Sequence, residues 1–390
     1  MVVRRAEQFR KSGIDLRTGH RVEKIDTAVQ TLNGRGMPNG EPFQIPYDRL
    51  LIATGASPKL PQMPGFDLPG VFVVKTLEDA RTIKRHLERN TVRKALILGM
   101  GYIAMEMTEA LRTRGLEVAM VKPGAQLLPW LDPELAQAVG EELARHQVHL
   151  HTGFIAERVI SSGEALKVLE ADGQGLEADI VIVAIGVHPN SELAADAGLT
   201  LGPSRSIAVD RIMCTSDPLI YAAGDCADAY HVVTGEKAWI PLALRANRSG
   251  WAVADHLAGK PAALQGVAGT GVFRIFDLEV ARTGLVAAEA VRAGFDPASV
   301  TITAQSRAHA HPGSSPLRVH LLGDKRSGRL LGAQMVGREG AAHRINAVAV
   351  ALHAQMSVAQ FGQSDLSYAP PFGPTWDPLL TAASQLMKKL

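Results

Sequence analysis

The stretch from Lys94 to Val121 constrains the fold of this chain more than any other. Lys94-Ala-Leu-Ile-Leu is a strand-sized apolar run, and Gly99-Met-Gly-Tyr-Ile-Ala follows at once. An amphipathic segment continues to Arg114, and Glu117-Val-Ala-Met-Val is a second apolar run. Strand, glycine-rich turn, helix and strand in this order predict a βαβ unit with parallel strands. Ile103, Met107, Ala110 and Leu111 recur at helical spacing and are the expected buried face of its helix. Gly99 permits the tight turn. Gly101 lets a pyrophosphate approach the backbone, and Ala104 is small enough for close helix–strand packing. The helix N-terminus adds N–H groups and a positive dipole end. A tight turn without a ligand is the competing reading, and the βαβ context weighs against it. The second strand ends at Val121-Lys122, where NAD-binding sites usually carry an acid. Lys122 therefore points to NADPH through its 2′-phosphate. A solvated Lys122 with loose nucleotide choice is the alternative.

The remaining chain supplies more strands of the same kind. Leu50 to Ala53 precedes Thr54-Gly55, Asp179 to Ala184 precedes Gly186, and Leu219 to Ala223 precedes Gly224-Asp225. Asp15–Gly19 and Arg21–Asp26 alternate polar and apolar residues as half-exposed strands do, and Asn33–Gly40 reads as a turn. Helices are expected at Arg4–Ser12, Leu77–Arg89, Pro133–Arg145 and Leu244–Leu257. Beyond Gly259 an antiparallel sheet is expected from Val272–Ile275, Val300–Gln305, Leu317–Leu322 and Leu330–Val336, with helices at Ala287–Ala293 and Ala341–Ala354. This region reads as a separate α+β domain.

Composition excludes several classes. At 390 residues the chain exceeds what one core usually fills. A 46% hydrophobic content excludes a disordered chain, and a formal net charge of +2 gives no reason to expect a nucleic-acid or membrane surface. No apolar run approaches the ~18 residues of a membrane span, and the first residues carry no signal-peptide core. The expected location is the cytoplasm. The two cysteines, Cys214 and Cys226, form no Cys-x-x-Cys pair, and the thirteen histidines form no His-Glu-x-x-His pattern. No disulfide framework or metal site is expected.

Taken in order, Ala53-Thr-Gly-Ala-Ser-Pro, Gly99-Met-Gly-Tyr-Ile-Ala-Met-Glu, Val183-Ala-Ile-Gly-Val-His-Pro-Asn and Thr215-Ser-Asp-Pro-Leu-Ile-Tyr-Ala-Ala-Gly-Asp-Cys-Ala resemble the FAD-dependent pyridine nucleotide–disulfide oxidoreductase family. Ala308-His-Ala-His, Arg344-Ile-Asn-Ala and Tyr368-Ala-Pro-Pro-Phe-Gly-Pro-Thr-Trp-Asp-Pro-Leu make it similar to the branch of coenzyme A-disulfide reductases, NADH oxidases and polysulfide reductases. The resemblance covers essentially the whole chain. It implies an α/β fold of two nested Rossmann-like nucleotide-binding domains and a C-terminal α+β dimerisation domain. The implied FAD-binding domain takes residues 1–76 and 196–260, the NAD(P)-binding domain 77–195 and the dimerisation domain 261–390. The implied cofactors are FAD and NADP or NAD, and the implied partner is a second copy of the chain.

The resemblance also assigns residues. Thr54, Gly55, Gly224 and Asp225 would hold FAD, and Leu242 and Ala243 would offer backbone groups to its ring. Gly99, Gly101, Ala104 and Lys122 would hold NAD(P)H, with Ile103, Glu106 and Gly186 near the nicotinamide. Glu106 and Tyr368 are the implied catalytic residues. Tyr368 and Phe372 would lie near the partner's flavin, and Cys226 would pack beside the flavin.

The chain departs from the family pattern in its first residues. It lacks the first strand with its G-x-G-x-x-G turn and the reactive cysteine that follows. It therefore reads as a shortened product or a start placed too far downstream, short by at least one βαβ unit of roughly 30 residues. His309 and His311 read as exposed loop residues, with a substrate pocket as the alternative. Arg344 reads either as an anchor for a coenzyme A phosphate or as a surface ion pair. Cys214 reads as a small buried residue.

The expected function is transfer of hydride from NAD(P)H to FAD and on to a disulfide or sulfur acceptor such as coenzyme A disulfide. The alternatives are an NAD(P)H oxidase that reduces oxygen, and a nucleotide-binding remnant without stable FAD.

Overall fold

The computed structural model describes residues 4–88, 92–163 and 165–390. The chain forms two compact units. One comprises Met1–Ala56, Pro189–Ala229 and Lys237–Gln265; the other comprises Ser57–His188, Tyr230–Glu236 and Gly266–Leu390.

In the larger unit the βαβ expectation holds. Five parallel strands run in the spatial order Val71–Phe72, Ile180–Val183, Lys94–Leu98, Glu117–Lys122, Val148–Thr152. Ile180–Val183 is buried throughout, and Ala95–Leu98 equally so, as strands covered on both faces require. The Asp179 carboxylate accepts the backbone N–H groups of Arg93 (2.7 Å) and Lys94 (2.8 Å), which fixes where the two central strands begin.

The motif helix spans Tyr102–Thr113, with Gly101 as its N-cap. Its buried face is Ala104, Met105, Thr108 and Leu111, which corrects the expected stripe. Only Leu111 is shared, and Ile103 is 37% exposed. The apolar count passed over Thr108, which lies on the buried face because it turns its hydroxyl back onto the Ala104 carbonyl at 2.8 Å. The helix Leu77–Leu87 begins where expected; its expected end, Arg89, lies outside the described residues. The helix Pro133–Arg145 is capped by Asp132 with Pro133 in its first turn.

The C-terminal region contains the expected antiparallel sheet plus one strand that the sequence did not reveal, Leu278–Gly284. The order is Gly271–Ile275, Leu278–Gly284, Leu330–Gly337, Pro316–Asp324, Pro297–Gln305. Leu278–Gly284 was hidden because Glu279 and Arg282 interrupt its apolar residues. A final helix, Pro378–Met387, covers the outer strands and was also unforeseen.

This sheet shares a core with the parallel one. Phe273, Ile275, Leu278, Val280 and Val336 lie in the same buried cluster as Ile97, Met105 and Leu135. Gln334, 4% exposed, ties the layers. Its amide oxygen accepts the Asp132 N–H at 2.6 Å, and its amide nitrogen donates to the Trp130 carbonyl at 2.9 Å. Near the far end of the helix Pro133–Arg145 the fully buried Glu142 carboxylate is held by Arg145 (2.5 Å) and Arg338 (3.4 Å).

The smaller unit holds a three-stranded antiparallel sheet, His20–Asp26, Thr31–Gly36 and Pro42–Pro46, and a parallel pair, Leu50–Ile52 with Ile220–Ala222. Two expectations change here. Asp15–Gly19 is a loop in which Arg17 pairs with its neighbour Asp15. Asn33–Gly36 is strand rather than turn, because Gly34 sits where an added Cβ would lie 2.0 Å from the Arg21 carbonyl oxygen. Glycine there permits a close backbone approach, as central strands sometimes need. Among the described residues no helix is long and apolar enough to cross a membrane.

Replacing Gln334 with alanine is expected to leave the half-buried Asp132 N–H and Trp130 carbonyl unpaired. A loss of about 2–4 kcal/mol in unfolding free energy should appear in denaturant titration.

Candidate functional site

The larger unit brings the predicted nucleotide residues to the carboxyl ends of three adjacent strands. Gly99 and Gly101 follow Lys94–Leu98, Lys122 ends the neighbour on one side, and Gly186 follows the neighbour on the other. Gly99 has φ +110°, and an added Cβ would lie 2.3 Å from the Ala184 carbonyl oxygen. Gly101 differs: an added Cβ would meet no described atom within 4 Å. The Gly99 constraint is therefore architectural, while Gly101 leaves open space above the start of a helix. That helix carries no side-chain cap and no acid in its first turn. Its first N–H groups form a donor set suited to a diphosphate.

Lys122 donates to the Gln126 carbonyl at 2.6 Å, and burial pushes its pKa down. The ammonium is thus held toward the loop after its strand. Ile103 and Glu106 lie one turn apart on the exposed face of the motif helix, and Glu106 lines an open depression of about 620 Å³ with Glu109, Arg114 and Arg274. Tyr102 leaves this face entirely, stacking on Trp130 at 5.5 Å and meeting Phe273 edge-on at 5.2 Å.

The smaller unit uses the same device. Leu50–Ile52 and Ile220–Ala222 pair in parallel with Ala222 beside Ile52, so Thr54-Gly55 and Gly224-Asp225 leave the sheet side by side. Gly55 and Gly224 have φ +73° and +82°, and neither would bring an added Cβ within 4 Å of a described atom. Asn190, which no sequence motif marks as a site residue, clasps the first of these turns. The Thr54 hydroxyl donates to the Asn190 carbonyl (2.5 Å), and the Asn190 amide donates to the Thr54 carbonyl (2.9 Å). Leu242 is the N-cap of the helix Ala243–Leu257, and it too provides no side-chain cap. Arg245, Ser249 and Trp239 all bond the Gly224–Asp228 backbone, and none was singled out from the sequence.

Cys226 is fully buried, its thiol directed at the carbonyls of Ala223 (3.2 Å) and Ile52 (3.6 Å). Cys214 is half-buried rather than buried, and burial followed by Asp210 and Asp217 raises its pKa. A reactive thiolate needs the opposite shift.

Near the C-terminus Tyr368 and Phe372 are exposed, at 51% and 77%. His309 is an exposed loop residue, and His311 is half-buried in the same loop. Arg344 forms the expected ion pair, in a largely buried setting rather than at the surface. It is bonded to Asp377 (2.8 Å) and to the carbonyls of Phe372 (2.7 Å) and Ser306 (3.1 Å). Its guanidinium fastens the aromatic segment to the fold. Glu142, His146 and Asp277 group three potential ligand atoms, but Arg145 and Arg338 already neutralise Glu142, so the cluster is an ion-pair network.

Residues 3–250 match the family described as pyridine nucleotide-disulphide oxidoreductase, and residues 272–378 match the dimerisation domain of the same family. The chain belongs to the pyridine nucleotide-disulphide oxidoreductase family. Within it, an NAD(P)H sulfur oxidoreductase (CoA-dependent) of Pyrococcus furiosus is 38% identical over 97% of this chain and 84% of that protein. An NADH oxidase of Methanocaldococcus jannaschii is 35% identical over 98% and 84%. An NAD-dependent persulfide reductase from A. fulgidus superposes with a TM-score of 0.94 at 36% identity, covering 99% of this chain and 72% of that one. The family relation confirms the expected enzyme class, and the second match supplies the expected dimerisation domain.

The two glycines of the motif should separate by experiment. Gly99→Val is expected to destabilise the fold by about 2–4 kcal/mol through strain and overlap. Gly101→Val should keep the melting temperature within a few degrees while weakening NAD(P)H binding about tenfold or more, as read by titration calorimetry.

Proposed function

We propose that the chain is a flavin-dependent NAD(P)H oxidoreductase whose acceptor is a disulfide or sulfane sulfur compound of the coenzyme A type. The observation that carries this reading is the repetition of one arrangement. In each unit, glycine turns at the ends of adjacent parallel strands stand beside a helix N-terminus without a side-chain cap. Two dinucleotides are the ligands such a pair suits. The names of the Pyrococcus and A. fulgidus relatives support sulfur as acceptor.

FAD, when bound, would supply the two-electron relay between nicotinamide and acceptor. The chain's own residues bind and orient. Gly101 and the first N–H groups of the motif helix would hold the NAD(P)H diphosphate, with Ala104 keeping that helix close to the sheet. Lys122 would meet a 2′-phosphate, and Ile103, Glu106 and Gly186 would border the nicotinamide. Thr54, Gly55, Gly224 and Asp225 would hold the flavin nucleotide, with Leu242 and Ala243 offering backbone groups. Tyr368 and Phe372, presented by Arg344, would serve the acceptor pocket of a second subunit. The assignment of residues 1–76 with 196–260, 77–195 and 261–390 to flavin, pyridine nucleotide and dimer contacts belongs to the same proposal, as does action in the cytoplasm.

Oxygen as acceptor is the second reading. It is favoured by the buried, carbonyl-bound Cys226 and the raised pKa of Cys214, and by the Methanocaldococcus relative named NADH oxidase.

Purified protein should show a flavin absorption spectrum, or gain one on titration with FAD. A protein that binds NADPH and takes up no FAD would overturn the enzyme reading. Lys122→Glu should shift the NADPH/NADH preference toward NADH by about tenfold, roughly 1.4 kcal/mol, in initial-rate or binding measurements. Cys226→Ala should keep sulfur-directed turnover within about twofold, since a fully buried thiol directed at main-chain carbonyls contributes packing alone; complete loss with FAD retained would assign it a redox role.

A further inference from the structure

Arg245 lies in the first turn of the helix Ala243–Leu257 and is 5% exposed. Burial at this depth is unusual for a guanidinium and calls for a full set of acceptors. Its acceptors are carbonyl groups of one short turn: Gly224 at 2.5 Å, Ala227 at 2.8 Å, and Asp228. A planar fork reaches these carbonyls from two separate nitrogens, Nη1 for Gly224 and Nη2 for Ala227 and Asp228, whereas an ammonium offers its donors from a single point. One turn further along the helix, the Ser249 hydroxyl accepts the Gly224 N–H at 2.9 Å and donates to the Ala246 carbonyl. The Trp239 indole donates to the Asp225 carbonyl at 2.8 Å. The carbonyls of Gly224, Asp225, Ala227 and Asp228 are therefore all committed to side chains. These oxygens would otherwise be acceptors beside a ligand that is itself rich in acceptor oxygens. Burial lowers the Arg245 pKa, while Cys226, Asp225 and Asp228 raise it. The group stays charged at neutral pH, as an arginine does.

We propose that Arg245 is the positioning residue of the flavin turn: it gathers the carbonyls of Gly224–Asp228 so that the glycine side of the turn can receive the flavin nucleotide. This rests on the reading that Gly224 and Asp225 hold FAD. Arg245 acts through the turn and need not touch the ligand. Its charge alone is insufficient; the fork geometry is the function.

The test uses the full chain with Arg245→Ala and Arg245→Lys. Flavin fluorescence titration gives the FAD dissociation constant, calorimetry gives that for NADPH, and hydrogen–deuterium exchange reports the amides of residues 224–228. Arg245→Ala should raise the FAD dissociation constant about tenfold or more, since hydrogen bonds from a charged donor are lost. Arg245→Lys should recover only a minor part of that loss. In both variants the NADPH constant should stay within about twofold, and exchange at 224–228 should accelerate even without FAD. Added guanidinium ion should partly restore FAD affinity to the alanine variant and leave the lysine variant unchanged. Wild-type FAD affinity in both variants, or full rescue by lysine, would overturn the proposal. Unchanged exchange at 224–228 in Arg245→Ala would also overturn it, whatever happens to FAD. Should the wild-type chain take up no FAD, the flavin reading fails and the proposal with it, while the exchange data still report whether the clamp exists.

Discussion

A parallel strand hydrogen-bonded on both edges and covered on both faces must release its chain at the carboxyl end. There the backbone leaves a dry environment abruptly, and its next groups need either partners or water. This constraint recurs through the molecule. Gly99 and Gly186 are places where such a strand ends, Gly55 and Gly224 end the parallel pair of the smaller unit, and all four have positive φ. The turns they make are short because a longer loop would bury unpaired amides. The same shortness leaves room above Gly55, Gly186 and Gly224, and helix N-termini arrive beside two of the four turns. The proposed nucleotide sites thus sit where a buried sheet has to be terminated.

What the sequence revealed and what it concealed follow from this. Continuous apolar runs such as Ile180–Val183, bounded by glycine, are visible because both faces demand apolar side chains. The helix Pro133–Arg145 is equally visible through Asp132, Pro133 and its periodicity. Leu278–Gly284 was missed because charged residues that pair with partners from other segments mask the alternation. The stripe on the motif helix was misjudged because its buried face is turned toward Ala104, Met105 and Thr108, and a threonine bonded to its own helix does not register in an apolar count. Among site residues, glycines announced themselves through spacing. Arg245, Asn190 and Trp239 did not, since their work is to bond main-chain atoms far away in sequence, and main-chain acceptors leave no trace in residue identity.

Arg344 illustrates the same limit from the other side. An arginine before an aromatic segment invites assignment to an anionic ligand, because phosphate recognition by guanidinium is common. In this structure the Nε and Nη2 atoms of Arg344 serve internal partners. Its bonds to Asp377, Phe372 and Ser306 leave Tyr368, Phe372 and Trp376 as the outward features of that segment. Exposed aromatic side chains at this density form a surface that a second protein molecule would cover at a gain.

The core shared by the parallel and antiparallel sheets bears on how such chains can change over time. Phe273 and Val336 fill space under the motif helix, and Gln334 bonds the loop that carries Trp130. The region that matches a dimerisation domain is thus no exchangeable cassette. Recombination that swapped it for a distant counterpart would have to carry matching residues on the nucleotide side, or leave a hole and two orphaned polar groups behind. Lineages built this way are expected to diversify by point substitution at the loops, keeping the join between the two sheets intact.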